Sequence, residues 1–428
     1  MVKIGALTDH LTGASTLGIQ LAKSGARTAV FFNEDITDEI KTAAEYDAVI
    51  VKLGAGPFGR EQLYNRTAAV AKTLKNLGIQ LFCKQIGAAP RDEIGFEIEA
   101  MLDQLGSDAV AVVAPPVPQP KRVAAEENAV FYDAIAAGTK RGVGHIDFKN
   151  LPEGNEALQN ALSRCRENGN TIIVADAAAQ NDIEKLAEAV SKLKWNVLAV
   201  DEGEFTAKLA CLKGWISHRP AARAGAKIVQ ENGTALVVAG SFSRVTQEQV
   251  ELLLSRSDVD HVAVNDALLT SDENAGNEID RVVENAVNMI HSQNPPRTVV
   301  VETVLCGKAT DSATENNKTG FSGGARANRM NDALGRITAG IIAKVPEQVI
   351  GICVIGGGTM EAVRSRLGAK AVELIDNVIP QTNVGRLIGA GPRLPVIWKR
   401  GAAGSEHTAE DIVNRLFAES SKEQSSQI

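Results

Sequence analysis

Three stretches of this 428-residue sequence combine residue types that could do chemistry, and the first lies near the N-terminus. Residues 8–14 read Thr-Asp-His-Leu-Thr-Gly-Ala, which places the carboxylate of Asp9, the imidazole of His10 and the hydroxyl of Thr12 close together along the chain. Such a set can bind a polar substrate or supply a base. The same residue types also cap helices, so capping by Asp9 or Thr12 is the structural alternative.

The second stretch is a pair of glycine-rich loops near the C-terminus. Residues 356–359 read Gly-Gly-Gly-Thr, and residues 399–404 read Lys-Arg-Gly-Ala-Ala-Gly. Glycines let backbone N–H groups approach a phosphate closely, and a helix N-terminus adds a positive partial charge. The loops predict a nucleotide phosphate site outside the P-loop class, since no Walker A pattern occurs; two tight turns are the alternative. The candidate residues are Gly356, Gly357, Gly358, Thr359, Lys399, Gly401 and Gly404.

The third stretch, residues 240–246, reads Gly-Ser-Phe-Ser-Arg-Val-Thr. The hydroxyls of Ser241 and Ser243 can donate to a phosphate, so both join the predicted nucleotide site. Thr246 is predicted to cap the next helix, with Gln249 completing a capping box.

A weaker pattern occurs at residues 54–59, which match Gly-x-Gly-x-x-Gly. Pro57 removes a backbone donor, the loop is not the first strand-to-helix turn, and no acidic residue stands at the ribose-binding position. We interpret the segment as a turn, and an NAD-dependent dehydrogenase is the alternative that would need it.

The elements that must position these stretches are short apolar, β-branched runs that alternate with amphipathic segments. This alternation is typical of βαβ units and therefore of parallel sheets covered by helices. Strands are predicted at residues 3–7, 28–32, 48–53, 80–84, 109–114, 171–175, 197–200, 235–239, 259–264, 298–302, 349–355 and 395–399. All three stretches follow predicted strands, which is where open α/β sheets bind their ligands.

The strands form two series, so the predicted fold is α/β with two domains, each a mostly parallel sheet flanked by helices. We predict a substrate domain at residues 1–216, a linker at 217–234 and a nucleotide-binding domain at 235–419. A polar tail at 420–428 is expected to fray.

The composition narrows the class of protein. Apolar residues make up 44% and charged residues 23%, and the net charge is −7, which argues against general binding of nucleic acid or anionic membranes. The sequence shows neither a run of 18 apolar residues nor a signal-peptide segment at its start. Five cysteines without a Cys-x-x-Cys pair predict a reduced, cytoplasmic protein. Six histidines without metal-binding spacing predict no dedicated metal site.

Taken together, the segments resemble the four-carbon acid sugar kinase family. Residues 9–14 are similar to its Asp-Asp-x-Thr-Gly-Ala opening, and residues 176–183 to its Asp-Ala-x-x-x-x-Asp-Leu segment. Residues 240–249 match its Gly-Ser-x-Ser-x-x-Thr-x-x-Gln pattern, and residues 356–359 and 399–404 are similar to its two nucleotide loops. The matches run in family order over nearly the whole chain.

The resemblance implies that the N-terminal domain binds a small sugar acid, that the C-terminal domain binds ATP, and that the active site lies in the cleft between them. ATP with Mg²⁺ would phosphorylate a terminal hydroxyl of the acid. Asp9 would orient or deprotonate that hydroxyl, with His10 as a substitute base. Thr12, Lys84 and Arg91 would bind the substrate.

On the same resemblance, Ser241, Ser243, the two glycine loops and Lys399 would hold the nucleotide. The expected partner is therefore a small molecule, and neither nucleic acid nor a membrane. Association of the chain into a homodimer stays open.

Several positions depart from the family pattern. In the second domain Gly358 replaces an acidic residue of the nucleotide loop, whereas on the substrate side His10 stands where the family has a second Asp and Gly87-Ala88-Ala89 replaces Asp-Ser-Thr. Fewer groups remain to hydrogen-bond substrate hydroxyls, and more room is left. We therefore predict a substrate other than the standard four-carbon acid, such as a bulkier, branched or 3-oxo acid. A catalytically altered protein that binds a sugar acid on the same scaffold is the alternative.

Overall fold

The computed structural model describes residues 2–54, 58–91, 93–116, 124–151, 155–177, 179–216, 233–270, 272–303, 305, 323–389 and 394–426. The chain divides into two compact units, Met1–Ala222 and Arg223–Ile428. Most of the predicted linker, residues 217–232, lies outside the described residues, as do residues 55–57 of the Gly-x-Gly-x-x-Gly segment. The exact domain boundaries therefore stay a prediction.

The N-terminal unit is a parallel sheet with strand order β2-β3-β1-β4-β8-β5-β7-β6. Most of its strands are apolar and buried along their whole length, as expected for parallel strands covered on both faces. The elements are β1 (Ile4–Thr8), α1 (Leu11–Lys23), β2 (Thr28–Phe31), α2 (Ile40–Ala43), β3 (Ala48–Lys52), α3 (Arg60–Asn76), β4 (Leu81–Gln85), α4 (Ile94–Leu105), β5 (Ala109–Val113), α5 (Ala124–Ala137), β6 (Gly142–Asp147), α6 (Asn155–Glu167), β7 (Asn170–Asp176), α7 (Gln180–Lys192), β8 (Asn196–Asp201) and α8 (Glu204–Leu212).

Strands β1 and β4 lie side by side in this sheet. The connection after β1 leads to β2 on one side, whereas the connection after β4 leads to β5 on the other. Where neighbouring strands send their connections in opposite directions, a crevice opens beyond their carboxyl ends. The loops that follow β1 and β4 line this crevice.

The C-terminal unit has strand order β10-β11-β9-β12-β15-β14-β13. Strands β10, β11, β9, β12 and β15 pair in parallel, and β14 is antiparallel to both of its neighbours. The elements are β9 (Thr234–Ala239), α9 (Arg244–Leu254), β10 (Val259–Ala263), α10 (Asp272–Ile290), β11 (Thr298–Glu302), α11 (Gly323–Lys344), β12 (Val349–Ile355), α12 (Gly357–Arg366), β13 (Ala371–Ile379), β14 (Thr382–Ile388), β15 (Pro395–Lys399) and α13 (Thr408–Ser426).

The predicted α/β class with mostly parallel sheets is confirmed, and every predicted strand is present with its ends within about one residue of the prediction. The sequence pattern missed β6, β13 and β14. The hairpin between β13 and β14 turns at Gln381, which adopts a φ of +64° where sequence rules expect glycine or asparagine. Strand β6 is partly exposed at the sheet edge and contains Gly142, Gly144 and His145, so it lacks an apolar run.

Helix α13 continues to Ser426, into the segment expected to fray, so fraying of the polar tail stays a prediction. Glu419 is buried in this helix and accepts a hydrogen bond from Arg415 at 2.9 Å, which ties the start of the polar segment down. Over the described parts of the chain, every helix falls short of the length and apolarity that crossing a bilayer requires.

Candidate active site

The first predicted site assembles at the crevice between β1 and β4. The pairing aligns Leu7 with Lys84, so the two strands end level with each other. Lys84 Nζ lies 2.6 Å from Asp9 Oδ1, and Arg91 Nη2 lies 2.7 Å from Asp9 Oδ2. Three predicted residues, one from strand β4 and two from the loops after β1 and β4, therefore meet through direct ion pairs.

A fourth residue, Glu97 of α4, completes the site and was missed by the sequence analysis. Its Oε2 lies 3.2 Å from Lys84 Nζ and 3.0 Å from Arg91 Nη2. We call Asp9, Lys84, Arg91 and Glu97 the acid-site cluster. The available signal was periodicity, because Glu97 stands three residues after the buried Ile94 and therefore on the buried face of its helix.

Exposure divides the cluster into an inner and an outer pair. The side chains of Lys84 and Glu97 are 0% and 1% exposed, whereas those of Arg91 and Asp9 are 44% and 25% exposed. A ligand can thus contact Asp9 and Arg91. The direct substrate contact expected for Lys84 does not fit its burial. Lys84 instead forms ion pairs with Asp9 and Glu97 from the interior of the protein.

The charges of the cluster shift one another's protonation. Burial would raise the pKa of Asp9, but the positive charges of Lys84 and Arg91 outweigh it, so this pKa lies below its ordinary value. Burial would likewise lower the pKa of Lys84, but Glu97 and Asp9 keep it above the usual range. For Glu97 burial dominates and raises the pKa to about 7. Asp9 is therefore a carboxylate at neutral pH, whereas Glu97 titrates there.

The start of α1 removes the capping alternative for residues 9–12. His10 is the N-cap of α1, with extended backbone and no capping hydrogen bond from its side chain. Asp9 is engaged with cations instead, and Thr12 is an exposed residue of the first helical turn. His10 is also exposed beside the cluster, so both His10 and Thr12 remain accessible to a ligand.

Close packing below this turn explains Gly13. A Cβ at Gly13 would overlap Gln85 Oε1 and lie 2.8 Å from His10 Cε1. Gln85 Oε1 accepts a hydrogen bond from Thr8 Oγ1 at 3.1 Å, which links the ends of β1 and β4. Glycine is therefore required where α1 crosses the end of β4.

The loop between Lys84 and Arg91 is open, as its small residues suggest. Among the described residues, no heavy atom lies within 4 Å of where a Cβ at Gly87 would be, and Ala88 and Ala89 are exposed. The residues that replace Asp-Ser-Thr thus leave unfilled space on the loop that carries Arg91.

The predicted nucleotide residues gather at a second crevice, between β9 and β12. The connection after β9 leads to β10 on one side, and the connection after β12 leads to β13 on the other. The pairings align Ala239 with Ile355 and Ile355 with Lys399, so three strands end level. The loops that start at residues 240, 356 and 400 consequently meet.

Helix α12 begins inside the Gly-Gly-Gly-Thr loop. Its N-cap, Gly356, has a φ of +128°, which favours glycine and provides no capping side chain. The first N–H groups of a helix lack acceptors within the helix and carry a positive partial charge. Gly357 and Gly358 are exposed, and no heavy atom of the described residues lies within 4 Å of where a Cβ at Gly357 would be. This open cradle of N–H groups fits a phosphate.

Thr359 and Gly358 both contact Asn331 of α11, a residue that the sequence analysis missed. Thr359 is buried, and its Oγ1 donates to Asn331 Oδ1 at 3.0 Å. A Cβ at Gly358 would lie 2.5 Å from Asn331 Nδ2. Thr359 therefore fixes the first turn of α12 against α11, and the space beside Gly358 is already occupied by the Asn331 amide.

Ser241 and Ser243 differ in their contacts. Ser243 is the N-cap of α9 and accepts from the Thr246 N–H at 3.2 Å, so the predicted capping by Thr246 is wrong. Thr246 Oγ1 donates to the Gly401 carbonyl at 3.0 Å. Ser241 lies against Gly401, where a Cβ would overlap Ser241 Oγ. Ser241 and Gly401 thus bring two of the three loops into contact.

The backbone of residues 399–405 is held by hydrogen bonds from buried side chains. Lys399 is 1% exposed, and its Nζ donates to the carbonyls of Arg400 and Gly401, both at 3.0 Å. Burial lowers the pKa of Lys399 to about 8. Gln249, predicted to complete a capping box, instead donates to the Ala403 carbonyl at 3.1 Å. Gly404 has a φ of +86° and packs on Thr408 at the start of α13.

Metal-ligating side chains do not cluster in the described residues: no group of three or more His, Cys, Asp or Glu could hold a metal ion there.

Comparisons with known proteins fit these two sites. A sugar-binding N-terminal domain model matches residues 4–134 and 127–209, and a nucleotide-binding C-terminal domain model matches residues 236–409. The chain is thus a two-domain α/β protein whose N-terminal part matches a sugar-binding domain and whose C-terminal part matches a nucleotide-binding domain. The chain belongs to the four-carbon acid sugar kinase family.

Similar curated proteins align along almost the full length. D-erythronate kinase from Heliobacterium modesticaldum is 28% identical, with 99% of each chain covered. D-threonate kinase from Salmonella typhimurium is 24% identical over 96% of this chain and 98% of the relative. 3-oxo-tetronate kinase from Methylobacterium radiotolerans is also 24% identical, over 94% of this chain and 96% of the relative. A solved Haemophilus influenzae structure, 19% identical, shares the fold with a TM-score of 0.72 over 96% of this chain and all of its own.

Proposed function

We propose that the protein is an ATP-dependent kinase that phosphorylates a terminal hydroxyl of a small sugar acid. The observation that carries the proposal is the exposed pair of Asp9 and Arg91, a carboxylate and a guanidinium fixed 2.7 Å apart at a strand-end crevice. A sugar acid offers a carboxylate for the guanidinium and hydroxyls for the carboxylate. The names of the curated relatives support the same substrate class.

In this proposal Arg91 binds the substrate carboxylate and Asp9 orients the attacking hydroxyl. Phosphoryl transfer depends mainly on positioning and on neutralising phosphate charge, so a strong base is not required. The lowered pKa of Asp9 keeps it ionised to accept the hydroxyl hydrogen bond. The oxygen–phosphorus bond to the acid forms, the bond to ADP breaks, and the hydroxyl proton passes to Asp9 and then to solvent.

On the nucleotide side, the N–H groups of Gly357 and Gly358 and the hydroxyl of Ser241 are proposed to contact ATP phosphates. Lys399, Thr359 and Ser243 are proposed to position these loops, since each is engaged within the protein. Mg²⁺ is proposed to accompany ATP and to neutralise phosphate charge when bound.

The substrate is proposed to be a bulkier, branched or oxidised acid. The open space at Gly87 and the missing hydroxyl-binding side chains at residues 87–89 support this over a standard four-carbon acid. The same feature supports a second candidate, a protein that binds a sugar acid without turnover. The predicted cytoplasmic location is a further part of the proposal, which cell fractionation tests.

The deciding experiment measures ADP release with ATP and Mg²⁺ over a panel of acids: D-erythronate, D-threonate, 3-oxo-tetronate and branched five-carbon acids. Turnover with one acid, lost in Asp9→Asn, supports the kinase. Binding of an acid and of ATP by calorimetry without any ADP release supports the binding protein. Failure to bind ATP contradicts the kinase, and NAD binding that survives Lys399→Met would favour the dehydrogenase alternative.

A further inference from the structure

The charges of the acid-site cluster are balanced before any substrate binds. Two cations, Lys84 and Arg91, alternate with the carboxylates of Asp9 and Glu97 at distances of 2.6 to 3.2 Å. With all four ionised, their sum is zero. A substrate carboxylate at Arg91 adds one negative charge to a largely buried set, which is costly unless another charge is removed.

Glu97 is the member of the cluster that can lose its charge. It is 1% exposed, and its Oε1 is buried with no hydrogen-bond partner among the described residues. A buried carboxylate oxygen without a donor favours the protonated acid. By contrast, both oxygens of Asp9 lie within 2.7 Å of a cation.

The charged groups that face Glu97 come from three places: Lys84 from β4, Asp9 from the loop after β1 and Arg91 from the loop before α4. Glu93, one turn earlier, acts on Arg91. Asp201 of β8 is aligned with Gln85 and therefore points to the opposite face of the sheet from Lys84.

The other charged groups of α4 face away from the cluster. Glu99 accepts from Thr139, and Asp103 pairs with Arg141 and accepts from Tyr64 of α3. These contacts engage neighbours in the loop between α5 and β6 and on α3. The protonation of Glu97 therefore depends on the other members of the acid-site cluster and on any ligand bound beside them.

We infer that the site takes up a proton from solvent at the buried carboxyl of Glu97 when the carboxylate of a sugar acid binds at Arg91. The inference deepens the proposed function and rests on it for the chemical class of the anion. Glu97 is thereby a positioning residue, since it acts through Lys84 and Arg91 and offers no surface to the substrate.

The linkage predicts a distinctive pH dependence of binding. Free Glu97 has a pKa of about 7, and a nearby anion raises it further. At pH values between the pKa of Glu97 in the free protein and its pKa in the complex, the affinity for the acid falls by up to about tenfold for each pH unit. Below pH 6 it becomes independent of pH, because Glu97 is already protonated.

The test is isothermal titration calorimetry of the full chain with D-erythronate, D-threonate and 3-oxo-tetronate at pH 7.5. Each titration is run in HEPES and in Tris, whose ionisation enthalpies differ, so the difference gives the number of protons exchanged. The expected result is uptake of up to about three quarters of a proton per site in the wild type. Glu97→Gln should reduce this to zero and flatten the pH dependence, whereas Glu99→Gln, on the same helix, should leave both unchanged.

Binding of an acid without proton uptake, or the same uptake in Glu97→Gln, overturns the inference, and so does failure of every acid to bind. If Glu97→Gln does not fold, the wild-type measurement in the two buffers still decides. Proton-linked binding without ADP release would contradict the proposed kinase and support the inference. ADP release together with binding that exchanges no proton would support the proposed kinase and overturn the inference about Glu97.

Discussion

Lys84 Nζ lies 2.6 Å from Asp9 Oδ1, so a fully buried ammonium group holds a partly exposed carboxylate at the end of β1. An unpaired ammonium in this position would be strongly destabilising. Its two carboxylate partners, Asp9 and Glu97, remove that cost and become fixed in turn. Asp9 is therefore held in place by a side chain that has no exposed surface.

Asp9→Asn is expected to lower kcat by roughly 10²- to 10⁴-fold, because an amide cannot take up the hydroxyl proton. The dissociation constant for ATP, measured by calorimetry, should stay unchanged. The pKa of Asp9 is lowered, so its carboxylate persists through pH 5 and its stabilising ion pairs are lost only in stronger acid. The kcat ratio of wild type to variant should therefore be constant from pH 5 to 8, and a ratio that collapses within this range would contradict the assignment.

Arg91→Ala is expected to raise the KM for the sugar acid by roughly 10- to 100-fold, with a smaller effect on kcat. The reason is the loss of a charge-assisted hydrogen bond to the substrate carboxylate, worth about 1.5–3 kcal/mol. Arg141→Ala is the matched control, because Arg141 also pairs with a carboxylate of α4 but outside the cluster. Steady-state kinetics on both variants checks this, and equal effects would argue against a substrate contact.

Glu97→Gln is expected to change how stability depends on pH. Since the folded pKa of about 7 lies above the ordinary value, Glu97 contributes stability at low pH that is lost as pH rises toward and through 7. Relative to Glu97→Gln, wild type should lose up to about 3 kcal/mol between pH 4.5 and 8. Differential scanning calorimetry at matched pH values checks this. A stability difference that does not vary with pH would show that Glu97 is ionised throughout.

Lys399→Met is expected to raise the KM for ATP about fivefold or more and to leave binding of the sugar acid unchanged. The variant loses two hydrogen bonds of about 1 kcal/mol each that hold the Arg400 and Gly401 carbonyls. Because burial lowers the pKa of Lys399 to about 8, its burial penalty is relieved as pH rises above that value. Wild type should therefore gain melting temperature relative to Lys399→Met between pH 7 and 10.

Two glycine variants separate folding from nucleotide binding. Gly357→Ala should keep the melting temperature, because its Cβ meets no atom of the structurally described residues within 4 Å, yet raise the KM for ATP by filling the phosphate cradle. Gly401→Ala should lower both stability and ATP binding, because its Cβ would lie 2.6 Å from Ser241 Cβ. Adding Ser241→Gly to Gly401→Ala removes that overlap and should restore the melting temperature. Thermal melts with and without ATP check all three, and a Gly357→Ala variant with normal ATP binding would place the phosphates elsewhere.

The parallel pattern of strands was predictable because buried parallel strands are continuous apolar runs bounded by loops. The positions of Asp9 and of residues 356–359 followed, since both come directly after such runs. The β13–β14 hairpin was not predictable, because its turn places Gln381 at a positive φ, a conformation that glutamine rarely adopts.

Sequence by itself determined which loops carry chemistry and which end of the strands they occupy, because chain order and residue type fix both. Only tertiary packing decided what each side chain does. Glu97 lies on a helix 13 positions after Lys84, and nothing local distinguishes its carboxylate from an exposed one until α4 covers β4. Lys399 likewise has the residue type of a phosphate ligand, but it is turned toward its own loop carbonyls. Such roles depend on burial and on partners distant in sequence, which the order of residues does not encode locally.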